Sequence, residues 1–323
     1  MTLEEAIPEA LRESLRRQKY QLVGAHSAVK KCRWLHQSLV ERRPCYKQKF
    51  FGISSHRCLQ MTPSVAQCTL RCKFCWRTQP DDLGVSWDEM HFSTLDDPRE
   101  IVDDCLSAQR RILSGYRVHA HVDKAQYAEA LSPKHAAISL AGEPTLFPRL
   151  SELIREFHRR DLTTFLVTNG TLPEAIDGLE EEPTQLYVSL SAPDEESFRE
   201  ICRPQLPNAW KRLNMTLELL RSVKCPTVLR LTLARNLNLK NPERYSELIQ
   251  KANPTYVEPK AFMYVGSSRL RLSFENMPKH EEIRHFAEGI AKQTGYNIID
   301  DCHDSRVVLL SRLSKPIKLS RSN

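Results

Sequence analysis

Three cysteines lie within eight residues, in Cys68-Thr-Leu-Arg-Cys72-Lys-Phe-Cys75, with an aromatic, Phe74, directly before the third. Short cysteine spacings of this kind point to metal rather than to disulfides. A closed zinc site takes four ligands, usually from two C-x2-C pairs, and this loop has no local fourth. Three thiolates around a cubic iron–sulfur cluster leave one iron open. An open iron is a place for chemistry, whereas a fully ligated cluster mostly carries electrons.

A second trio precedes the first. Cys32, Cys45 and Cys58 are each thirteen residues apart, too far for a local chelate. They meet only if the chain folds back on itself twice. If they do, they form a second three-thiolate site; if not, they are unrelated thiols. Between the last two runs Tyr46-Lys47-Gln48-Lys49-Phe50-Phe51-Gly52. A lysine desolvated by aromatics, or close to a metal, has a lowered pKa and can act as an amine nucleophile toward a carbonyl. Lys47 and Lys49 are both candidates, and contact with phosphate or solvent is the plainer role for either. Cys105, Cys202, Cys225 and Cys302 are dispersed and read as buried thiols. His36 and His56 flank the first trio, and Trp76-Arg77 is a candidate stacking pair beside the cluster loop.

The chain has 323 residues, 41% of them hydrophobic, a size that one large α/β barrel reaches. No apolar run is long enough for a membrane span, and the first twenty residues lack the apolar core of a signal peptide. A cytoplasmic protein is expected, and a monomer. Ten cysteines without a secretory signal fit metal or redox chemistry. The net charge of +7 is uneven: residues 1–60 hold twelve Lys/Arg against five Glu, which accounts for all of it. Such a basic segment suits a polyanion, most often nucleic acid, although cations balancing cluster thiolates would look the same.

These residues need elements to position them. Leu3, Ile7, Leu11 and Leu15 have helical spacing. A second helix is expected over 21–41, stopped near Pro44. Residues 59–67 read as a strand leading into the cysteine loop. From about residue 96 helices and strands alternate: helices at 97–114, 123–131, 150–160, 194–202, 208–222, 242–252 and 279–293, and strands at 135–140, 163–168, 184–191, 228–233, 256–262 and 307–310. Asp96 or Asp97 caps the first of these helices, with Pro98 in its first turn. Regular alternation predicts parallel strands with right-handed crossovers. Three regions are expected: a helical, cluster-binding extension at 1–60, a barrel with C-terminal elements at 61–313, and a basic tail at 314–323.

In a parallel barrel the site collects at the C-terminal strand ends. Ala141-Gly142-Glu143-Pro144-Thr145 follows the strand at 135–140. Its glycine lets backbone approach closely and its carboxylate can accept from an ammonium group. Asn169, Ser189, Ser191, Arg230 and Thr232 close later strands; each alone is an ordinary turn or strand-end residue.

The cysteine loop resembles the signature of the radical S-adenosylmethionine (SAM) superfamily, and Ala141–Glu143 looks like its Gly-Gly-Glu motif with Ala in the first place. The resemblance implies a partial (β/α)6 TIM-like barrel of the radical SAM type, with a helical N-terminal extension carrying an auxiliary cluster. Cys68, Cys72 and Cys75 would hold the 4Fe-4S cluster whose open iron takes SAM. Phe74 would lie near the adenine, and Gly142, Glu143, Pro144, Thr145, Asn169, Ser189, Ser191 and Arg230 would line the SAM site.

The match narrows further. The double cysteine set, Trp76-Arg77, Ser139–Thr145, Val257-Glu-Pro-Lys-Ala-Phe-Met-Tyr-Val-Gly-Ser-Ser-Arg-Leu-Arg271 and Ser305–Arg312 together are similar to the tRNA 4-demethylwyosine synthases of the wybutosine pathway. The resemblance covers about 25–312. The chain has no room for the flavodoxin-like domain of eukaryotic relatives, so it looks like the short archaeal form, served by an external electron donor. Membership implies a second 4Fe-4S cluster on Cys32, Cys45 and Cys58 that positions pyruvate, and a lysine that forms a Schiff base with it. Lys47 is the better positional match and Lys49 the reserve. The adenosyl radical would take hydrogen from the pyruvate methyl. The carbon radical would then add to N1-methylguanosine in the anticodon region of phenylalanine tRNA, and ring closure would give the tricyclic base. Arg269 and Arg271 are expected at the barrel mouth, on tRNA phosphate or in a salt-bridged loop. The alternative is a radical SAM enzyme with an auxiliary cluster acting on another substrate.

Overall fold

The structure is a computed structural model that describes residues 7–86, 92 and 94–319. Leu3 and the end of the basic tail, both part of the sequence reading, lie outside these residues.

Six parallel strands make the centre of the molecule: β3 (Cys58–Thr62), β4 (His135–Ile138), β5 (Thr163–Thr168), β6 (Gln185–Ser189), β7 (Thr227–Leu233) and β8 (Tyr256–Ala261), paired in that order. Helices α4 (Pro98–Leu113), α6 (Leu150–His158), α7 (Pro173–Asp177), α8 (Glu195–Cys202), α9 (Ala209–Leu219) and α10 (Pro242–Ala252) lie in the crossovers, and α11 (His280–Thr294) follows β8. The parallel strands are those that the alternation predicts, and the partial six-stranded barrel is the one that the family resemblance implies. Asp97 caps α4 by accepting from the Arg99 amide at 2.9 Å, with Pro98 in the first turn.

Strand pairing departs from the expectation at both edges. Residues 21–29 are not helical: β1 (Gln21–Val23) and β2 (Ser27–Val29) form a hairpin that adds antiparallel to β3. Helix begins only at α2 (Arg33–Glu41). The physical reason is Gly24, at φ +55°, which turns a short segment with β-branched and aromatic neighbours back on itself. His26, buried in the turn, ties it down by bonding to the Pro63 carbonyl at 2.5 Å. At the far edge β9 (Asn297–Cys302), absent from the sequence reading, and β10 (Val307–Ser311) run antiparallel, β10 against β8. The strand entering the cysteine loop ends at Thr62 rather than at 67.

The sheet has two dry faces. Leu59, Met61, Leu166, Leu186, Leu229, Leu231 and Val257 pack outward under the helices. The inner face carries Phe165, Tyr187, Val228 and Tyr256, and it is filled by a six-residue helix, α3 (Tyr46–Phe51), through Tyr46, Phe50 and Phe51. So short a helix has little stability of its own. It persists because its aromatic face is buried in the barrel, with Phe51 edge-on to Tyr256 at 5.4 Å. Residues 317–319 close over it, the Leu319 amide donating to the Phe51 carbonyl at 2.9 Å. The segment between Cys45 and Cys58 is therefore a plug inside the barrel.

Candidate iron–sulfur and cofactor site

The loop after β3 is held by its carbonyls and amides, so that its three thiols can point inward. The Arg71 and Lys73 amides donate to the Cys202 and Ile201 carbonyls at the end of α8, at 3.0 and 2.9 Å. On the opposite side Arg271 donates to the carbonyls of Cys75 and, at 3.3 Å, Lys73, and pairs with Asp82. Asp82 accepts from the Gln79 amide at 2.8 Å, and the Gln79 side chain donates to the Cys72 carbonyl at 2.9 Å. Gly266, at φ +59°, lets its turn approach so closely that a Cβ there would lie 2.3 Å from the Trp76 carbonyl oxygen. Arg271 thus clamps the cysteine loop from a largely buried position, so of its two expected roles, tRNA phosphate or a salt-bridged loop, it takes the second. Arg269 stays exposed, its guanidinium 5.4 Å from the centre of the Tyr264 ring.

The turn after β4 is locked to the same loop. Gly142 has φ +66°, and a Cβ there would stand 1.7 Å from the Ser64 carbonyl oxygen. The Glu143 amide donates to the Gln67 carbonyl at 2.8 Å. The Glu143 carboxylate is buried and accepts from the Thr145 and Thr168 hydroxyls, both at 2.6 Å, and from the Asn169 amide at 2.7 Å. Burial still leaves its pKa raised. The Asn169 side chain donates to Thr69 Oγ1 at 2.8 Å and approaches the Cys68 sulfur at 3.9 Å. Gly142, Glu143, Thr145 and Asn169 therefore form one rigid wall beside Cys68. Pro144 starts a short 3-10 turn within it. Ser191 Oγ is buried without a hydrogen-bond partner among the described residues, and Ser189 ends β6 next to it. A cleft of about 190 Å3 opens between Cys68, Cys75, Trp76, Arg77 and Ser139–Gly142. Phe74 packs against the outer core and does not line that cleft.

The second trio also converges, despite its thirteen-residue intervals. The side chain of Cys58 faces the barrel interior, because Leu59 and Met61 take the outer face. Cys45 begins α3 and Cys32 precedes α2. Burial disfavours ionisation of all three thiols. Burial pushes Cys45 up to about 12, Cys32 adds to this, and Cys58 is raised by burial and by both partners. Arg77 lies between the trios. It is buried, stacked on Trp76 at 3.0 Å, and lowers both Cys75 and Cys32.

Lys47 and Lys49 part company. Lys47 sits inside the barrel with its ammonium 4.0 Å from the ring centres of Phe165 and of Tyr187. Burial and Arg230 lower it to about 8. Lys49, one half-turn on, points out to an ion pair with Asp300 at 2.8 Å, and that bond raises its pKa. Arg230 does not reach toward the Glu143 wall. It pairs with the fully buried Glu258, its neighbour across β7 and β8, at 2.7 Å, and donates to the Tyr46 hydroxyl at 2.6 Å. Tyr187 donates to the same carboxylate at 3.2 Å. The sequence reading missed Tyr46, Tyr187, Glu258 and Lys260 as site residues. The available signal was a strand with Glu258 and Lys260 at alternate positions among buried residues, so that both face inward.

The donor sets fit iron–sulfur clusters. All six cysteines are free thiols that are neither fully buried nor fully exposed. Among the described residues no three His, Cys, Asp or Glu side chains stand close enough to hold a single ion. A multi-iron cluster, whose own sulfides separate the irons, asks for a wider thiol spacing. Partly buried thiols that resist ionisation alone give up their protons on binding metal.

A half-barrel with three thiols on the loop after its first parallel strand and a carboxylate-bearing turn after the next defines a class, and the sequence comparison agrees. Residues 63–249 match the family model of the radical SAM superfamily, and 251–312 match that of wyosine base formation. The S-adenosyl-L-methionine-dependent tRNA 4-demethylwyosine synthase of Pyrococcus abyssi is 50% identical over 95% of this chain and 90% of its own length. The Methanocaldococcus jannaschii enzyme of that name is 42% identical over 96% and 98%. A solved TYW1 structure with a lysine–pyruvate adduct bound superposes with TM-score 0.88 at 40% identity, covering 98% of this chain and all of the other. An archaeal TYW1 crystal structure gives 0.77 at 37%, over 97% and 99%. The chain belongs to the tRNA 4-demethylwyosine synthase family of radical SAM enzymes.

Proposed function

We propose that this chain condenses pyruvate-derived carbons with N1-methylguanosine in the anticodon region of phenylalanine tRNA to form 4-demethylwyosine. The observation that carries the reading is the plug: α3 brings Lys47 into the barrel beside Cys45 and Cys58, while the Glu143 wall and the Cys68 loop stand at the strand ends. Cys68, Cys72 and Cys75 would hold one 4Fe-4S cluster and Cys32, Cys45 and Cys58 another. Bound with SAM and fed by an external electron donor, they would supply the radical that takes hydrogen from the pyruvate methyl. Ala141–Thr145 would orient the SAM amino group, with the Ser191 hydroxyl free to donate or accept. Lys47, rather than Lys49, is the nucleophile of this reading: its amine adds to the ketone and loses water to give an imine. The aromatic walls of Phe165 and Tyr187 keep solvent from it. The exposed cations that precede the plug, among them Arg16, Arg17, Lys19, Arg33 and Arg42, would face the tRNA backbone. We read the protein as a monomer in the cytoplasm.

The test is mass spectrometry of nucleosides from phenylalanine tRNA carrying N1-methylguanosine, incubated anaerobically with the reconstituted protein, SAM, reductant and pyruvate. A tricyclic nucleoside that appears only with pyruvate is the expected result. Unchanged tRNA with 5′-deoxyadenosine still formed would overturn the substrate while leaving the radical chemistry.

A further inference from the structure

Inside the barrel three cations face one carboxylate, with the thiols of Cys45 and Cys58 beside them. Glu258 is fully buried and shares one carboxylate among three cations, Arg230, Lys47 and Lys260, which all lie within its electrostatic reach. Arg230 takes it, with Nη2 and Nε at 2.7 and 3.2 Å from the same oxygen. The hydroxyls of Tyr46 and Tyr187 use the remaining acceptor capacity at 3.4 and 3.2 Å. That pair is neutral and complete. Lys47 is the nucleophile. Lys260 is left over.

Lys260 occupies the inner face of β8, two residues beyond Glu258. Its ammonium donates to the Ser305 carbonyl at 2.5 Å and lies 5.3 Å from the ring centre of Tyr46, the residue preceding Lys47. Among the described residues no carboxylate is within ion-pair distance of it. Arg230, Glu258 and Cys45 act on both lysines. A cation held in a barrel without an ion-pair partner is costly, and a bound anion would relieve that cost.

Resting on the Schiff-base reading of Lys47, we propose that Lys260 binds the carboxylate of the 2-oxo acid condensed there and so selects an α-keto carboxylate over a neutral α-keto compound. The geometry suits this. In a 2-oxo acid the carboxylate is one bond from the ketone carbon that Lys47 attacks, so its cation must stand beside Lys47 without competing for Glu258. Lys260 shares Arg230, Glu258 and Cys45 as electrostatic neighbours with Lys47 and is not bonded to Glu258, whereas Arg230 is already held by that carboxylate. The covalent step is balanced: amine and ketone give imine and water, and added borohydride delivers hydride to the C=N carbon to leave a stable secondary amine.

The test is borohydride trapping on the anaerobically reconstituted protein, read by intact and peptide mass, with pyruvate and with pyruvamide, its neutral amide. Wild type is expected to reach half-saturation at about tenfold lower pyruvate than pyruvamide. Lys260→Met should bring that ratio close to one by weakening pyruvate alone, and Lys260→Arg should keep most of the preference. Iron content of each variant reports whether the auxiliary cysteines still bind metal. No adduct in wild type with either ketone, or an adduct elsewhere than on Lys47, overturns the Schiff-base reading itself. An adduct on Lys47 with the pyruvate preference unchanged in Lys260→Met overturns the role of Lys260 alone, as does equal loss of both ketones with iron retained. If Lys260→Met loses iron, Lys260→Arg and Lys260→Gln decide by the same ratio.

Discussion

Arg271→Met should release the cysteine loop. In the folded protein Arg271 and Asp82 are 10% and 8% exposed, and the guanidinium bonds Asp82 and the backbone carbonyls of Lys73 and Cys75. Removing it leaves Asp82 buried and unpaired. Breaking one side of such a pair costs about 3–5 kcal/mol. Asp82 keeps the Gln79 amide at 2.8 Å, so the low end, about 3 kcal/mol, is expected. Asp82→Asn in the same chain removes the stranded charge and keeps an acceptor for that amide. The double variant should therefore recover about half the loss. Urea unfolding of the metal-free protein, followed by far-UV circular dichroism, measures both. Iron analysis after reconstitution should show the Arg271→Met protein falling from about eight iron atoms toward four, the count for one remaining four-iron cluster. A cost below about 1 kcal/mol, or a double variant no more stable than the single, would refute the clamp.

Further expectations follow from the same geometry. Gly142→Ala places a Cβ 1.7 Å from the Ser64 oxygen at φ +66°, so the turn and the cysteine loop must move apart. A loss of about 3 kcal/mol or more and reduced SAM cleavage are expected, and a normal melting temperature would sink the argument. Lys47→Ala should abolish tricyclic product while SAM is still cleaved, and Lys49→Ala should keep activity within about threefold, because Lys49 is an exposed ion pair; the reverse order would discard the plug as the reactive segment. His135 accepts from the Ser54 amide at 3.1 Å and bonds the Thr163 hydroxyl, and burial lowers its pKa to about 4. The unfolded imidazole takes a proton near pH 6.5, so between 6.5 and 4 the unfolded chain binds more protons. Stability is full above 6.5 and falls by about 3 kcal/mol toward pH 4. His135→Gln should flatten that part of the urea-midpoint profile of the metal-free protein, and an unchanged profile would remove His135 as its cause.

Much of the molecule was legible before folding. The parallel strands and their helices were read from alternation, because buried parallel strands are continuous apolar runs and the crossover helices are amphipathic. The cysteine loop was legible because its ligands are local: spacing alone brings Cys68, Cys72 and Cys75 together. The hairpin at 21–29 was not. Three-residue strands are too short for a period, and Gly24 and the buried His26 act through contacts with Asp96 and Pro63 that sequence does not adjoin. Arg271 was ambiguous for a similar reason. A surface phosphate contact and a buried clamp use the same residue, and Asp82 lies far from it along the chain.

The residue types by themselves determined the chemistry available: two sets of three thiols, a basic first sixth, a lysine among aromatics, and a Gly-Glu turn after a strand. The tertiary structure decided which of them meet. Cys32, Cys45 and Cys58 converge only because the aromatic face of α3 is buried in the barrel, a long-range packing preference that carries no local spacing. The same burial turns Lys47 inward and leaves Lys49 in water, since opposite faces of one short helix cannot both face the core. It also places Glu258, Arg230 and Lys260 around that helix, where strand alternation aims them and the dry interior makes each charge count.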